Sequence, residues 1–352
     1  MNHGNINILI ISDGKPGHQN QSLGIAERLP AAKALLFKHG LTEGLGEGLI
    51  RWGIGRARGK VSPALARTRL DEIVGGDKFV EIEKFAPKLI ISTGTTSATV
   101  NLLFKAIFNI PSVCIMRPSL IPLSSFDLVI LPAHDLAPDA PNIVRLVITP
   151  NRASPEMAKA EAEKFAQRTG LKPDGKYLGI IIGGKAKGMP FDNDACLDML
   201  DSCYKWADEN DIILLLSTSR RTGSALESAI EERWGADTHT GYLLLAGRDR
   251  ENPTYAFHGL AGRALITADS VSMVSEAIYA GVKPIVVDIS NGGAGRGKRG
   301  RFYEGLKSGF HIYFLDGTER IGAALQMSRP FAGAGVPDEL KLCLKRIVEL
   351  VG

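Results

Sequence analysis

Short runs rich in Ile, Val and Leu recur along the whole chain, each closed by a turn and followed by a helical pattern of mixed apolar and charged residues. A strand that is apolar along its whole length is buried on both faces. A helix between consecutive strands is the crossover that parallel pairing needs, so this pattern dictates parallel βα units. In the first half the strands are expected at 6–11, 34–37, 89–92, 112–115, 128–131 and 143–148. In the second half they are expected at 177–182, 212–216, 242–245, 264–267, 284–287 and 311–314, with helices such as 194–209 and 224–234 in the intervals.

At 352 residues the chain exceeds one ordinary core and fits two domains. Between the two series lies a segment with Pro150, Pro155 and Pro173 around a charged helix rich in Ala, Glu and Lys. The junction is placed there: an N-terminal Rossmann-like domain over 1–150, a linker helix over 151–176 and a C-terminal Rossmann-like domain over 177–352. The expected fold class is α/β, two doubly wound parallel-sheet domains facing a central cleft, because ligands of such sheets bind outside the carboxyl ends of the strands.

The loops after strands therefore matter most. Ala264-Leu-Ile-Thr-Ala-Asp-Ser-Val-Ser-Met-Val-Ser-Glu-Ala-Ile-Tyr-Ala-Gly281 reads strand, polar turn, helix, glycine stop. A helix opening near Ser270 leaves unpaired backbone N–H groups, which the hydroxyls of Ser270 and Ser272 can cap or share with a bound anion. Glu276 falls one helical turn on, about 5 Å along the axis on the face of Ser272, where its carboxylate can accept from a ribose diol. Phosphate at the tip and ribose one turn below is the layout of a nucleotide diphosphate. An ordinary capped helix with a surface glutamate is the plain alternative.

Gly183-Gly-Lys-Ala-Lys-Gly188 follows the first strand of the second domain; its glycines let backbone approach phosphate and Lys185 adds charge. It lacks the ending of a Walker loop. One strand later, Ser217-Thr-Ser-Arg-Arg-Thr-Gly223 offers Arg220 and Arg221 to phosphate oxygens. Asn291-Gly-Gly-Ala-Gly-Arg-Gly-Lys-Arg-Gly-Arg301 holds a Gly-x-Gly-x-x-Gly match, but no dinucleotide-binding helix is expected to open inside so basic a loop. It fits a mobile phosphate-binding or acceptor loop, or a solvated linker.

In the first domain the loop after the first strand reads Ser12-Asp-Gly-Lys-Pro-Gly-His-Gln-Asn-Gln21. His18 is the natural general base, since its ordinary pKa lies near operating pH. Asp13 is a second candidate for the base and Lys15 for a phosphate contact. Thr95 and Thr96, in Thr93-Gly-Thr-Thr-Ser-Ala98, can bind an acceptor phosphate or cap the next helix. His134 also follows a strand.

The formal charge of +4 arises in residues 1–150, with 16 Lys and Arg against 12 Asp and Glu. Arg51, Arg56, Arg58, Lys60, Arg67 and Arg69 form an acid-free stretch interleaved with Leu49, Ile50, Trp52, Ile54 and Leu65. That composition suits an anionic membrane surface, or a solvated helix whose apolar residues enter the core. Cys114, Cys196, Cys203 and Cys343 lack metal-ligand spacing and read as reduced core thiols. The first apolar run is far shorter than a membrane span and lacks signal-peptide features, so the chain is expected in the cytoplasm, with peripheral attachment to the inner face of the cell membrane as a further option. No metal site, no separate cofactor and no nucleic-acid partner is expected.

Ala268-Asp-Ser270 and Ser275-Glu-Ala277 resemble the nucleotide-binding region of bacterial lipid-linked GT-B transferases such as the murein glycosyltransferase. The resemblance implies a helix start at Ser270 and Ser272 holding the diphosphate and Glu276 holding the ribose. Gly183-Gly-Lys185 resembles the glycine loop of those enzymes, and Gly17-His18 their N-domain Gly-His, with different spacing around it. A closer similarity is to the mitochondrial-fission "elongated mitochondria" family and its bacterial branch. It rests on Ser12-Asp-Gly-Lys-Pro-Gly-His-Gln-Asn-Gln-Ser22, Ile181-Ile-Gly-Gly184, Ser217-Thr-Ser-Arg-Arg221 and Thr267-Ala-Asp-Ser-Val-Ser-Met-Val-Ser-Glu-Ala277. That family is grouped with GT-B folds, and its plant members recruit a dynamin-like protein to mitochondria.

Three functions stay open: a metal-independent transferase moving sugar from a nucleotide-diphosphate donor to an envelope or lipid-linked acceptor, a nucleotide-sugar 2-epimerase, and a non-catalytic membrane-associated adaptor.

Overall fold

The computed structural model describes residues 5–41, 44–186, 188–309, 311–328 and 338–352. Among them lie twelve strands: β1 (Ile6–Ser12), β2 (Ala32–Lys38), β3 (Leu89–Thr93), β4 (Ser112–Ile115), β5 (Leu128–Pro132), β6 (Ile143–Leu146), β7 (Tyr177–Ile181), β8 (Ile213–Ser217), β9 (Thr240–Leu244), β10 (Ala264–Thr267), β11 (Ile285–Val287) and β12 (Tyr313–Leu315). Each overlaps an expected run, with ends differing by at most two residues. The helices are α1 (Pro16–Ala26), α2 (Leu45–Arg56), α3 (Pro63–Val74), α4 (Gly76–Phe85), α5 (Thr95–Phe108), α6 (Pro155–Thr169), α7 (Asn193–Asn210), α8 (Ser224–Trp234), α9 (Thr254–Ala261), α10 (Val271–Tyr279), α11 (Gly297–Ser308), α12 (Ile321–Met327) and α13 (Asp338–Val351).

The strands make two six-stranded sheets, β2-β1-β3-β4-β5-β6 and β9-β8-β7-β10-β11-β12. Every pairing in both is parallel. Strand order reverses between β1 and β3 in the first sheet and between β7 and β10 in the second. At such a switch point the loops on either side diverge, leaving a crevice at the carboxyl ends. Burial of Leu9, Ile11, Ile90, Phe104 and Val129 anchors the first core, and of Leu178, Ile180, Leu214, Leu265 and Val287 the second. Each such side chain contributes about 1.5–3 kcal/mol.

The chain divides into 1–152 with 338–352, and 153–337, not at the expected boundaries. The segment expected as a linker helix is a packed part of the second unit. Ser154 caps α6 by accepting from the Met157 amide at 3.1 Å. The helix then buries Ala158, Ala162, Phe165 and Ala166, spaced as one helical stripe, and its Phe165 stacks edge-on against Phe257 of α9. The stripe is narrow and mostly alanine, which is why it reads as a solvated linker in the sequence. Helix α13, expected with the second domain, returns to the first unit: it buries Leu340, Cys343 and Ile347, and Glu339 accepts from the Ile148 amide at 3.0 Å.

Helix α11 opens at Gly297, inside the basic segment where no helix was expected. Asp288 stabilises the turn before it, accepting from the Ser290 amide at 2.9 Å and the Ala294 amide at 3.1 Å. The four cysteines are buried and unpaired, and burial pushes the Cys114, Cys196 and Cys343 thiols up to about 12. Among the described residues no helix is long and apolar enough to cross a membrane.

Candidate functional site

In the second unit the end of β7 and the segments that follow β8, β9 and β10 line a cleft of about 1040 Å³. Of the residues grouped from the sequence, Arg220, Arg221, Ser270, Ser272 and Glu276 line it, whereas Gly183, Gly184 and Lys185 are not among its lining residues. Ser270 is the residue before α10 and its side chain makes no capping bond, so among the described residues the first-turn N–H groups of α10 have no side-chain cap. Ser272 is exposed at this tip. Glu276 is partly buried one turn below, and burial pushes its carboxyl up to about 7. It is a wall residue of the cleft, not the surface glutamate of the plain alternative.

Gly183 and Gly184 are placed differently from the expectation that their amides meet phosphate. The Gly183 amide donates to Thr267 Oγ1 at 2.8 Å and the Gly184 amide to Asp269 Oδ2 at 2.9 Å. A Cβ on Gly183 would lie 2.0 Å from Asp269 Oδ2, and one on Gly184 2.1 Å from the Arg221 backbone. These glycines are there because three loops close on one another with no room for a side chain. Arg221 belongs to the same lock, pairing with Asp269 at 2.8 Å and donating to the Gly184 carbonyl at 3.0 Å. Arg220 has no acidic partner among the described residues and stays exposed on the cleft. The Lys185 side chain is likewise exposed, while its amide donates to the Arg221 carbonyl at 3.1 Å. Lys187 of the same loop lies outside the described residues.

Two residues given no role by the sequence hold this site. Asp269 is the hub just described, its second oxygen accepting from the Thr267 hydroxyl at 2.7 Å. Glu227 on α8 is 4% exposed, accepts from the Thr218 hydroxyl at 2.6 Å and the Gly247 amide at 3.0 Å, and so fixes the loop after β9 that lines one side of the cleft. One signal was available: Glu227, Ile230 and Trp234 share the buried stripe of α8, and a glutamate on such a stripe needs a partner.

In the first unit the loops at the switch point bring together Asp13, Lys15, His18, Thr95 and Thr96. His18 sits in the first turn of α1, its Nδ1 2.9 Å from Asp13 Oδ2. With the carboxylate as acceptor, Nδ1–H donates and Nε2 is left open, without a partner among the described residues. Burial raises the Asp13 carboxyl, but the Lys15 amide at 3.1 Å and the His18 charge outweigh it and hold the group below its ordinary value. The His18 ring lies against Gly94, where a Cβ would be 2.7 Å from Cε1; with φ at +84°, glycine alone suits this position.

Gly94 is the cap residue of α5 and offers no side chain, so neither threonine caps the helix. The Thr95 hydroxyl accepts from the Ser119 amide at 3.2 Å, and Thr96 is buried. His39, which sequence reading passed over, is buried beside Asp13 and contacts Ser97 Oγ at 3.1 Å; burial lowers its pKa despite the nearby carboxylate. His134 follows β5, separated from the switch point by β4, and is not part of this group.

The basic stretch is partly neutralised by flanking acids. Arg51 pairs with Glu47 at 3.4 Å, Arg67 with Asp71 at 2.9 Å and Arg69 with Glu72 at 3.0 Å. Arg56, Arg58 and Lys60 are exposed with no acidic partner among the described residues, and Arg56 lies over the Trp52 ring at 5.5 Å. Ile54 enters the core, as the solvated-helix reading expects, whereas Leu49, Trp52 and Leu65 stay exposed. Among the described residues no group of three His, Cys, Asp or Glu side chains is placed to hold a metal ion.

The chain belongs to the mitochondrial fission ELM1 family, whose model matches residues 16–326. It is 24% identical over 312 residues to an uncharacterized protein of Rickettsia prowazekii (strain Madrid E), covering 80% of this chain and 83% of that one. Its fold is similar to that of UDP-GlcNAc 2-epimerase from Methanocaldococcus jannaschii, with a TM-score of 0.58, 10% identity and coverage of 98% and 100% of the two chains. The fold is thus the two-domain α/β architecture of GT-B proteins.

Proposed function

We propose that this chain is a glycosyltransferase that uses a nucleotide-diphosphate sugar as donor and a lipid-linked or envelope molecule as acceptor. The observation that carries the reading is the second-unit cleft, where the tip of α10 without a side-chain cap, Arg220 with no acidic partner among the described residues, and the partly buried Glu276 line one space. The helix tip and Arg220 stabilise the negative charge that develops on the departing diphosphate as the sugar C1–O bond breaks. Lys185 adds a second positive charge. Glu276 accepts from the ribose hydroxyls. Neutralisation of the leaving group falls to these protein groups, and the donor is a substrate, not a cofactor.

On the acceptor side His18 takes the hydroxyl proton through Nε2, and Asp13 keeps the ring in the required tautomer and stabilises the imidazolium that forms. Lys15, with Thr95 at the start of α5, faces the acceptor phosphate. Exposed Leu49, Trp52 and Leu65 among Arg56, Arg58 and Lys60 support peripheral attachment to an anionic membrane.

The test is thermal-shift screening, since a ligand that binds only the folded chain raises its Tm. UDP or GDP is expected to protect and the free nucleosides are not; equal protection by nucleoside defeats the helix-tip site. Incubation with UDP-GlcNAc alone then separates the chemistries: a 2-epimerase converts it, a transferase waits for an acceptor, and an adaptor does neither.

A further inference from the structure

A cavity of about 760 Å³ lies in the first unit beside α2 and α3, bordered by part of the basic stretch and apart from the His18 and Asp13 group. Its wall is chiefly Leu41, Ile50, Ile54, Val61, Ile73 and Leu103. Leu49 and Leu65 edge it and are 69% and 52% exposed, unusual for large apolar side chains gathered at one place.

Helix α2 carries Gly46, Gly48, Gly53 and Gly55 within twelve residues, although glycine is the poorest helix former after proline. Gly55 has a packing reason, since a Cβ would meet the Leu120 carbonyl oxygen at 2.2 Å. Gly46, Gly48 and Gly53 have none, since a Cβ on any of them meets nothing within 4 Å, and of these three Gly46 and Gly53 line the cavity. Side chains at those two positions would take up space that a bound molecule could fill.

Charge decides which end of that molecule enters. Glu47, 2% exposed, stands in the wall already engaged by the Thr99 hydroxyl at 3.2 Å and by Arg51 at 3.4 Å, so it leaves an entering anion no free cation beside it. Lys60 lines the cavity, exposed and without an acidic partner among the described residues, and Arg56 and Arg58 precede it in the same condition. Arg69 and Glu72, also lining residues, neutralise each other.

We propose that this cavity binds the hydrocarbon chain of a single-chain anionic amphiphile, an alkyl phosphate, with the tail among the leucines and isoleucines and the phosphate at Lys60. A space of this size takes one small ligand. The assignment rests on the transferase reading only for its use, as the lipid part of the acceptor; binding itself needs no nucleotide.

Calorimetric titration of the full chain with monomeric dodecyl phosphate, below its micelle concentration and without nucleotide, tests this. Saturable one-to-one binding is expected, and none with inorganic phosphate. Gly53→Leu fills the cavity and is expected to weaken binding at least about tenfold with Tm unchanged or raised, because Leu is the better helix former. Leu65→Asp, at a half-exposed rim position, weakens it as well without entering the core. Three results overturn the proposal: no saturable binding to the unmodified chain, unchanged binding by Leu65→Asp or by folded Gly53→Leu, or binding only to phosphatidylglycerol vesicles, which would mean surface adsorption. Protection by UDP, measured on the same sample, reports separately on the nucleotide site.

Discussion

Replacing Glu276 by Gln should make the protein more stable at pH 8 and a poorer nucleotide binder. Burial raises the Glu276 carboxyl from its ordinary 4.5 to about 7, so the folded chain holds this proton more tightly than the unfolded chain does. The ionised form therefore costs stability. That cost is absent below pH 4.5, grows between 4.5 and 7, and is constant above. At about 1.36 kcal/mol per tenfold change in acidity it reaches about 3 kcal/mol. Gln, similar in shape and never charged, removes it. Thermal unfolding of both proteins at pH 5 and pH 8 should therefore show a small difference at the lower pH and a Tm higher by roughly 6–12 °C for Glu276→Gln at the higher.

Binding runs the other way. A diol donates to the carboxylate but not to the acid, and a group titrating near 7 is about 90% ionised at pH 8 and about 10% at pH 6. UDP affinity of the unmodified chain should rise about tenfold across that interval, while Glu276→Gln should bind about 1–3 kcal/mol more weakly at pH 8 and without this trend. Equal Tm differences at both pH values would show that the carboxyl is not desolvated. Equal, pH-independent UDP affinity in the two proteins would place the ribose elsewhere.

His18→Ala should keep UDP affinity yet lower transfer by about 10²–10⁴-fold once an acceptor is in hand, and Asp13→Asn should act in the same direction, since it removes the group that orients the ring; unchanged turnover in both would leave this loop a structural one. Arg220→Ala should weaken UDP binding without lowering Tm, whereas Arg221→Ala should lower Tm because it removes the ion pair to Asp269 and the bond to the Gly184 carbonyl that tie the loop after β8 to its neighbours; the reverse pattern by thermal shift would exchange their roles. Reversing Arg56, Arg58 and Lys60 to Glu should reduce sedimentation with anionic liposomes at unchanged Tm, and if neither protein sediments the acceptor is met in solution.

The sequence by itself determined the strands and their parallel pairing. Runs such as Ile6–Ser12 and Ala264–Thr267 are mostly apolar, and a strand buried on both faces is covered by the helices that follow it. It also determined which loops carry polar groups, since Ser12-Asp and Ala268-Asp-Ser stand directly at strand ends. Only the tertiary structure decided what those groups do. Gly183 and Gly184 look like phosphate-binding glycines by composition, yet their amides are engaged by Thr267 and Asp269, residues more than eighty positions away that only the β7–β10 neighbourhood brings near. His18 and Asp13 look like rivals for one role, and a separation of 2.9 Å makes them partners. The domain boundary escaped for a related reason. The stripe of α6 is alanine-rich and that of α13 is a generic amphipathic face, so neither names its partner; the choice was made by shape, Phe165 against Phe257 and Glu339 at the Ile148 amide, which no local pattern encodes.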